Sequence, residues 1–283
     1  MENTNILKLI YNIANRDSLK IKKHDTSEIS INRVGDSLEY FIKEAFANSF
    51  NIENKLEKLK LYSKLFSYQG NQNNPPDLIL KNSDAIEVKK LGGYGAIALN
   101  SSYPKDKIYF NDKMLTKECQ NIDGGNWQKE LFYVIGTLKK EILKNLFIIQ
   151  GSCYCAEKEI YEKIKLTIKN GVESINGVEF SETQELGKIK KVDPLGITDL
   201  RVRGMYSIEN PFKVFSYIKE IEKPKDNKSF IYAIFLKEKF DKFSKIDIEN
   251  ILKLENSSFF DIDILSPNNP SKFLKVKLIK VEI

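Results

Sequence analysis

The sequence predicts an α/β protein with a mixed central β-sheet flanked by helices. Two short apolar runs, Leu78-Ile79-Leu80 and Ile86-Glu87-Val88, flank the turn-forming trio Asn82-Ser83-Asp84 and read as a β-hairpin. Two near-continuous apolar segments, 130–139 and 145–156, read as strands covered on both faces. Segments with helical apolar spacing precede and follow them, the pattern of a sheet packed between helices.

In chain order, Ile6, Leu7, Ile10, Ile13 and Ala14 mark an amphipathic helix within residues 3–20, and a polar break follows at 22–27. A second helix starts near Asp36, with Leu38, Phe41, Ile42, Ala45 and Phe46 as its apolar stripe. Glu39 stands three residues after Asp36, which is capping-box spacing. Residues 54–67 suit a third helix before the loop that delivers the chain to Pro75. Beyond the hairpin, Gly92, Gly93 and Gly95 make a flexible connection and no dinucleotide fingerprint, since no helix with a third glycine follows. Residues 157–170 read as a helix with Ile160, Ile164 and Ile168 four apart. Strand-like segments lie at 197–207, 229–235, 259–265 and 273–281, with a helical stretch at 237–254. No repeat, low-complexity linker or composition boundary divides the 283 residues. They are read as one domain, with 1–175 as its core and 176–283 as a subdomain.

The hairpin carries the chemistry. Leu78, Leu80, Ile86 and Val88 share a face if the loop holds an odd number of residues. Asp77, Glu87 and Lys89 then share the opposite face, with Asp77 roughly across from Lys89. Two carboxylates beside an ammonium suit phosphodiester hydrolysis. The carboxylates can hold a hard divalent cation such as Mg²⁺, which lowers the pKa of a bound water and offsets phosphate charge. The lysine can orient the nucleophile or contact the phosphate. The same residues also suit an edge hairpin with solvated charges.

Pro76-Asp77 followed after a short hairpin by Glu87-Val88-Lys89 resembles the PD-(D/E)XK nuclease motif. Three further stretches make the resemblance more specific: Asn32-Arg33-Val34-Gly35-Asp36-Ser37-Leu38-Glu39, Asn100-Ser101-Ser102-Tyr103-Pro104-Lys105, and the run from Asp193-Pro194-Leu195-Gly196 through Asp199-Leu200-Arg201-Val202-Arg203-Gly204-Met205. In this order they resemble a type II restriction endonuclease of the NgoPII family over about residues 30–215. The resemblance implies a restriction-endonuclease-like fold, with Asp77 and Glu87 on Mg²⁺ and Lys89 positioning or activating water. It adds Glu39 as a further acidic group, a role that leaves its capping reading open. It also implies cleavage of double-stranded DNA at a short palindromic, GGCC-like site by a homodimer, beside a companion DNA methyltransferase that it does not contact; the sparse, odd set of cysteines without a secretion signal points to the reducing cytoplasm. A repair nuclease or junction resolvase with the same hairpin, and a nuclease-fold protein that binds without cutting, are the alternatives.

Asp199, Arg201 and Arg203 alternate with Thr198, Leu200 and Val202, so on one strand both arginines project together. They are half of the four arginines in the chain. A guanidinium can take guanine O6 and N7 bidentately, whereas lysine offers a point charge. Asp199 can orient a guanidinium or accept from cytosine N4. Surface salt bridges with Asp199 or Glu209 are the other reading of the pair. Asn100, Ser101, Ser102 and Lys105 form a polar loop able to meet phosphate oxygens, or an ordinary surface loop.

The composition narrows the chemistry. A formal charge of +6, from 45 basic and 39 acidic residues, permits an anionic partner without requiring one. His24 is the sole histidine, which excludes histidine triads and most zinc hydrolase designs. Cys119, Cys153 and Cys155 are too few for a disulfide framework or a second cysteine pair, and fit small core residues, with Cys153 and Cys155 on one side of a strand. The start of the chain lacks the pattern of a signal peptide, and no run is long enough to cross a bilayer, so no membrane partner is expected.

Overall fold

A computed structural model describes residues 3–21, 37–71, 74–100, 102–183, 185–225 and 228–283. The Asn32–Asp36 part of the family-like stretch, His24, Arg33 and the 22–27 break lie outside the described residues.

Helices α1 (Ile6–Ala14), α2 (Ser37–Ala47) and α3 (Lys55–Leu65) come first, where the apolar spacing places them. Asn5 caps α1 by accepting from the Leu7 and Lys8 amides, and Asn54 caps α3 in the same way. Strands β1 (Phe66–Asn71), β2 (Asn74–Leu80), β3 (Ala85–Leu91), β4 (Ile97–Asn100) and β5 (Lys107–Tyr109) follow. After the short helix α4 (Lys117–Gln120) come the long strands β6 (Gln128–Lys139) and β7 (Ile142–Gln150). Helix α5 (Lys158–Glu173) leads to β8 (Glu179–Phe180), β9 (Gly187–Lys190), β10 (Leu200–Val202) and β11 (Tyr206–Ile208). Helix α6 (Pro211–Val214), β12 (Phe230–Leu236), α7 (Lys237–Phe240), α8 (Lys245–Leu252), β13 (Ser257–Leu265) and β14 (Phe273–Glu282) complete the order.

The main sheet runs β1-β2-β3-β6-β7-β12-β14-β13, with β5 joined to β6. It is mixed: β3–β6 and β7–β12 are parallel, and its other ladders are antiparallel. The central strands β6, β7 and β12 are buried along nearly their whole length, which explains their continuous apolar runs. One face packs Leu78, Leu80, Ile86, Val88, Val134 and Ile148 with α1, α2 and α8. The other packs Ile79, Tyr133, Phe147, Ile149 and Tyr232 with Trp127, Tyr154 and Phe215. This is the α/β sandwich the sequence predicts.

Residues 230–282 thus supply three strands to the sheet begun by the first half of the chain. Outside it, β10-β9-β8 form a three-stranded sheet, and β11 pairs with β4. Two strand expectations are corrected. The 197–207 segment is not one strand: β10 and β11 belong to different sheets, with Arg203-Gly204-Met205 between them. The strand expected over 145–156 ends at Gln150, and Gly151–Cys153 is a 3₁₀ turn, so Cys153 and Cys155 do not alternate on a strand. All three thiols are buried and free, and burial pushes Cys119 and Cys153 up to about 12. Helix α5 has its predicted period but turns Ile160, Ile164 and Ile168 outward. No helix among the described residues is long and apolar enough to cross a membrane.

Candidate active site

The hairpin β2–β3 places the acidic pair. Leu78 pairs with Ile86 and Ile79 with Ala85, and the Leu80 amide donates to the Asp84 carbonyl at 2.9 Å. The loop is therefore Lys81-Asn82-Ser83, three residues, with Asn82 at φ 55° taking the left-handed turn position. This register differs by two residues from the one predicted. Because side chains alternate with period two, the faces survive the slip. The partner across the ladder does not: Glu87, rather than Lys89, lies across from Asp77.

Asp77, Glu87 and Lys89 lie together. The Val88 amide donates to Asp77 Oδ2 at 2.6 Å, and the Lys89 ammonium donates to Glu87 Oε1 at 2.6 Å. Glu87 Oε2 is buried without a hydrogen-bond partner. Burial and the adjacent Glu87 charge raise the Asp77 carboxyl well above the usual carboxylate range, against the pull of Lys89 and the Val88 amide. Burial alone lowers Lys89, but Glu87 and Asp77 outweigh it and hold the ammonium above its ordinary value. Glu39, in the first turn of α2, is near enough for its charge to raise both Asp77 and Lys89. It also lies 3.9 Å from Lys43, one turn along the helix. Asp36, its capping-box partner, lies outside the described residues.

Among the described residues no group of three or more His, Cys, Asp or Glu has a metal-holding arrangement. The Asp77–Glu87 pair nevertheless fits a hard cation. Its donors are carboxylate oxygens, one of them an orphaned buried atom, and the Glu87 charge together with burial weighs against ionising Asp77, a cost that a bound cation would offset.

The second predicted cluster is arranged differently from the expectation. Arg201, in β10, and Arg203, just past its end, do converge, but neither is paired with Asp199 or Glu209. Both meet Glu185, through Arg201 Nε at 3.0 Å, Arg201 Nη2 at 2.8 Å and Arg203 Nε at 2.7 Å. Asp199 instead accepts from the Lys191 amide at 3.3 Å and lies 3.9 Å from the Lys188 ammonium. Glu185 was missed because an ion pair across 16 residues on an exposed sheet leaves no periodic signal.

The polar loop is split between interior and surface. Ser101 lies outside the described residues, and the Asn100 backbone pairs with Tyr206. Ser102 is partly exposed. Lys105 differs from the exposed loop residue expected. It is buried, with its ammonium 3.5 Å from Asp112 and 4.6 Å from the Tyr103 ring centroid. Tyr133, beside Glu87 in the β3–β6 ladder, fixes the Lys105 backbone by accepting from its amide at 2.8 Å and donating to its carbonyl at 3.1 Å. The loop is thereby tied to the strand next to the acidic pair.

A mixed sheet of this order flanked by helices, with an acidic hairpin near a glutamate from α2, fits the restriction-endonuclease class of fold. The sequence pattern of the NgoPII restriction endonuclease family matches residues 4–265. The chain is 43% identical over 281 residues to the type II restriction enzyme NgoPII of Neisseria gonorrhoeae, covering 97% of this chain and 98% of that one. The chain belongs to the NgoPII restriction endonuclease family, whose members cleave DNA. No solved structure matches it.

Proposed function

We propose that this protein is a Mg²⁺-dependent type II restriction endonuclease that hydrolyses double-stranded DNA at a short palindromic, GGCC-like site. The observation that carries the reading is the Asp77–Glu87–Lys89 cluster on one hairpin, with Glu87 Oε2 buried and without a hydrogen-bond partner. Asp77 and Glu87 would hold the cation, and Glu39 stands by as a further acid. When bound, Mg²⁺ supplies an activated water and neutralises charge on the scissile phosphate. Lys89, kept protonated by the carboxylates around it, orients the nucleophile and donates to the phosphate oxygen rather than removing a proton.

Arg201 and Arg203 read guanine in the major groove, and Asp199, just before β10, accepts from cytosine N4. Asn100, Ser101 and Ser102 meet the DNA backbone. A Lys105 contact to phosphate would require its ammonium to leave Asp112. In this reading the recognition part of 176–283 is the stretch carrying β8 to β11. A palindromic target suits a homodimer whose twofold axis coincides with that of the site. Host DNA in the cytoplasm is spared by a companion methyltransferase acting on the same sequence.

The test is incubation of the purified protein with plasmid DNA in Mg²⁺ and in chelator, followed by sequencing of the fragment ends. Discrete fragments in Mg²⁺ alone, all ending at one palindrome, are expected. Cleavage that persists in chelator, ends without a common sequence, or intact plasmid would each refute the reading.

A further inference from the structure

The clamp on the two arginines has a chemical polarity. Glu185 is only 20% exposed, whereas Arg201 and Arg203 are 55% and 56% exposed, so the carboxylate lies beneath and the guanidiniums lie on the outside. A guanidinium has five N–H bonds. Arg201 gives Glu185 its side edge, Nε and Nη2, and Arg203 gives Nε. The end-on edge, formed by the outward hydrogens of Nη1 and Nη2, is not used by Glu185 on either residue. That is the edge whose two parallel donors match guanine O6 and N7.

The clamp also draws the two forks together. Residues two apart along extended backbone are separated by up to about 6.6 Å. Here both side chains reach the same carboxylate oxygen, Glu185 Oε1, so their guanidiniums converge above it. Successive base pairs are about 3.4 Å apart along the duplex axis. Two convergent end-on forks therefore suit neighbouring guanines. A carboxylate at a DNA-facing surface is repelled by phosphate, so the charge of Glu185 on its own weakens binding to every sequence alike.

We propose that Glu185 is a positioning residue for sequence recognition: it holds Arg201 and Arg203 by their inner edges and presents two adjacent guanine-reading forks to the major groove. The proposal rests on the reading of the two arginines as base contacts. It makes Glu185 a determinant of specificity that never touches DNA. Its signature is a pair of effects of opposite sign. Loss of the carboxylate frees the forks and lowers discrimination, and at the same time removes a negative charge and strengthens binding to unrelated DNA.

The experiment measures binding by fluorescence anisotropy in Ca²⁺ for the wild type, Glu185→Gln, Glu185→Asp, Arg201→Ala and Arg203→Ala. The probes are a synthetic duplex centred on the sequence mapped from cleavage fragments, the same duplex with each base pair changed in turn, and an unrelated duplex. Thermal unfolding establishes that each variant is folded. For Glu185→Gln the ratio of mapped-site to single-change affinity is expected to fall about tenfold, while affinity for the unrelated duplex rises. Glu185→Asp keeps the charge but withdraws it by one methylene, so discrimination should fall without the gain on unrelated DNA. If the arginine variants lose discrimination and both Glu185 variants keep it, the positioning role is overturned and the arginine reading stands. If the arginine variants also keep full discrimination, the reading beneath the proposal fails with it.

Discussion

The Val88 amide holds Asp77 Oδ2 at 2.6 Å, so one carboxylate of the acidic pair is tied to the strand that carries the other. Asp77 and Glu87 are thereby kept close although their mutual repulsion opposes it. The hairpin stores an electrostatic cost that a cation relieves, and the first two predictions follow from that cost.

Asp77→Asn keeps the acceptor for the Val88 amide and removes the charge. Cleavage should fall by roughly 10²-fold or more, since a metal ligand is lost. The raised Asp77 pKa also sets a sign: the folded state holds its proton more tightly than the unfolded state does. Stability in chelator therefore declines as pH rises from the ordinary carboxylate range through that raised pKa. At neutral pH in chelator the variant should melt above the wild type. A saturating divalent cation, about 100-fold over its Kd, should stabilise the wild type by about 2.7 kcal/mol and the variant by much less. Equal gains for both proteins in a melting experiment would place the cation elsewhere.

Lys89 stands above its ordinary pKa because Glu87 and Asp77 outweigh its burial. A lysine raised in this way adds stability below its unfolded value, near 10.4, and that contribution is lost as pH rises through the folded value. Across about pH 6–9 it stays charged and should add no inflection to the cleavage rate. Lys89→Met should lower the rate by roughly 10²–10³ and leave the shape of the pH profile unchanged. A wild-type inflection that vanishes in the variant would make Lys89 the base.

A third prediction reaches the site from behind. A Cβ on Gly136 would lie 2.7 Å from Leu38 Cδ2 and 3.0 Å from Leu143 Cδ1. Both are the ends of leucine side chains packed in the core, and Leu38 precedes Glu39 on α2, so Gly136→Ala should crowd the inner face of the helix that carries Glu39. Overpacking of this kind costs about 1–3 kcal/mol. Melting temperature and cleavage rate should both fall, with specific binding in Ca²⁺ retained. An unchanged cleavage rate in a destabilised variant would detach Glu39 from catalysis.

Arg201→Ala and Arg203→Ala separate base reading from backbone contact. Loss of one bidentate guanine contact should cost about 1–3 kcal/mol and relax one base pair. A phosphate contact would weaken all duplexes alike and reduce the salt slope by about one. Binding to matched and single-change duplexes at two salt concentrations distinguishes the outcomes. Equal losses on every duplex for both variants would move the pair to the backbone.

The parts legible in the sequence are those governed by a period. Leu78, Leu80, Ile86 and Val88 fall on one face in either of two registers, because a slip of two residues preserves alternation. The register itself depends on which residue takes the left-handed turn position, and Asn82 and Asp84 compete for it in the sequence. The spacing of Ile160, Ile164 and Ile168 gives a helix, but a period does not say which side faces inward, and these three face out. Lys105 is buried by contacts with Asp112 and Tyr103 in tertiary space, which a polar loop does not advertise. Glu39 takes its second role from the family resemblance and not from spacing, since a helix N-terminus explains a glutamate equally well without DNA.

The salt bridge between Asp84 and Lys239, at 2.6 Å, spans 155 residues and pins the turn of the acidic hairpin to a helix that follows β12. Strand β7 finds its parallel partner only at Phe230, and Asn5 at the head of α1 bonds to Asp247 at 2.8 Å. On the ribosome, the strands bearing Asp77 and Glu87 therefore emerge long before the segments that clamp them. At about 5–20 residues per second that interval is roughly eight to thirty seconds, and such non-local closure is also intrinsically slow. A DNA-cutting enzyme built in this way is made without its blade set: a nascent or truncated chain exposes the acidic strands yet lacks the framework that aligns them.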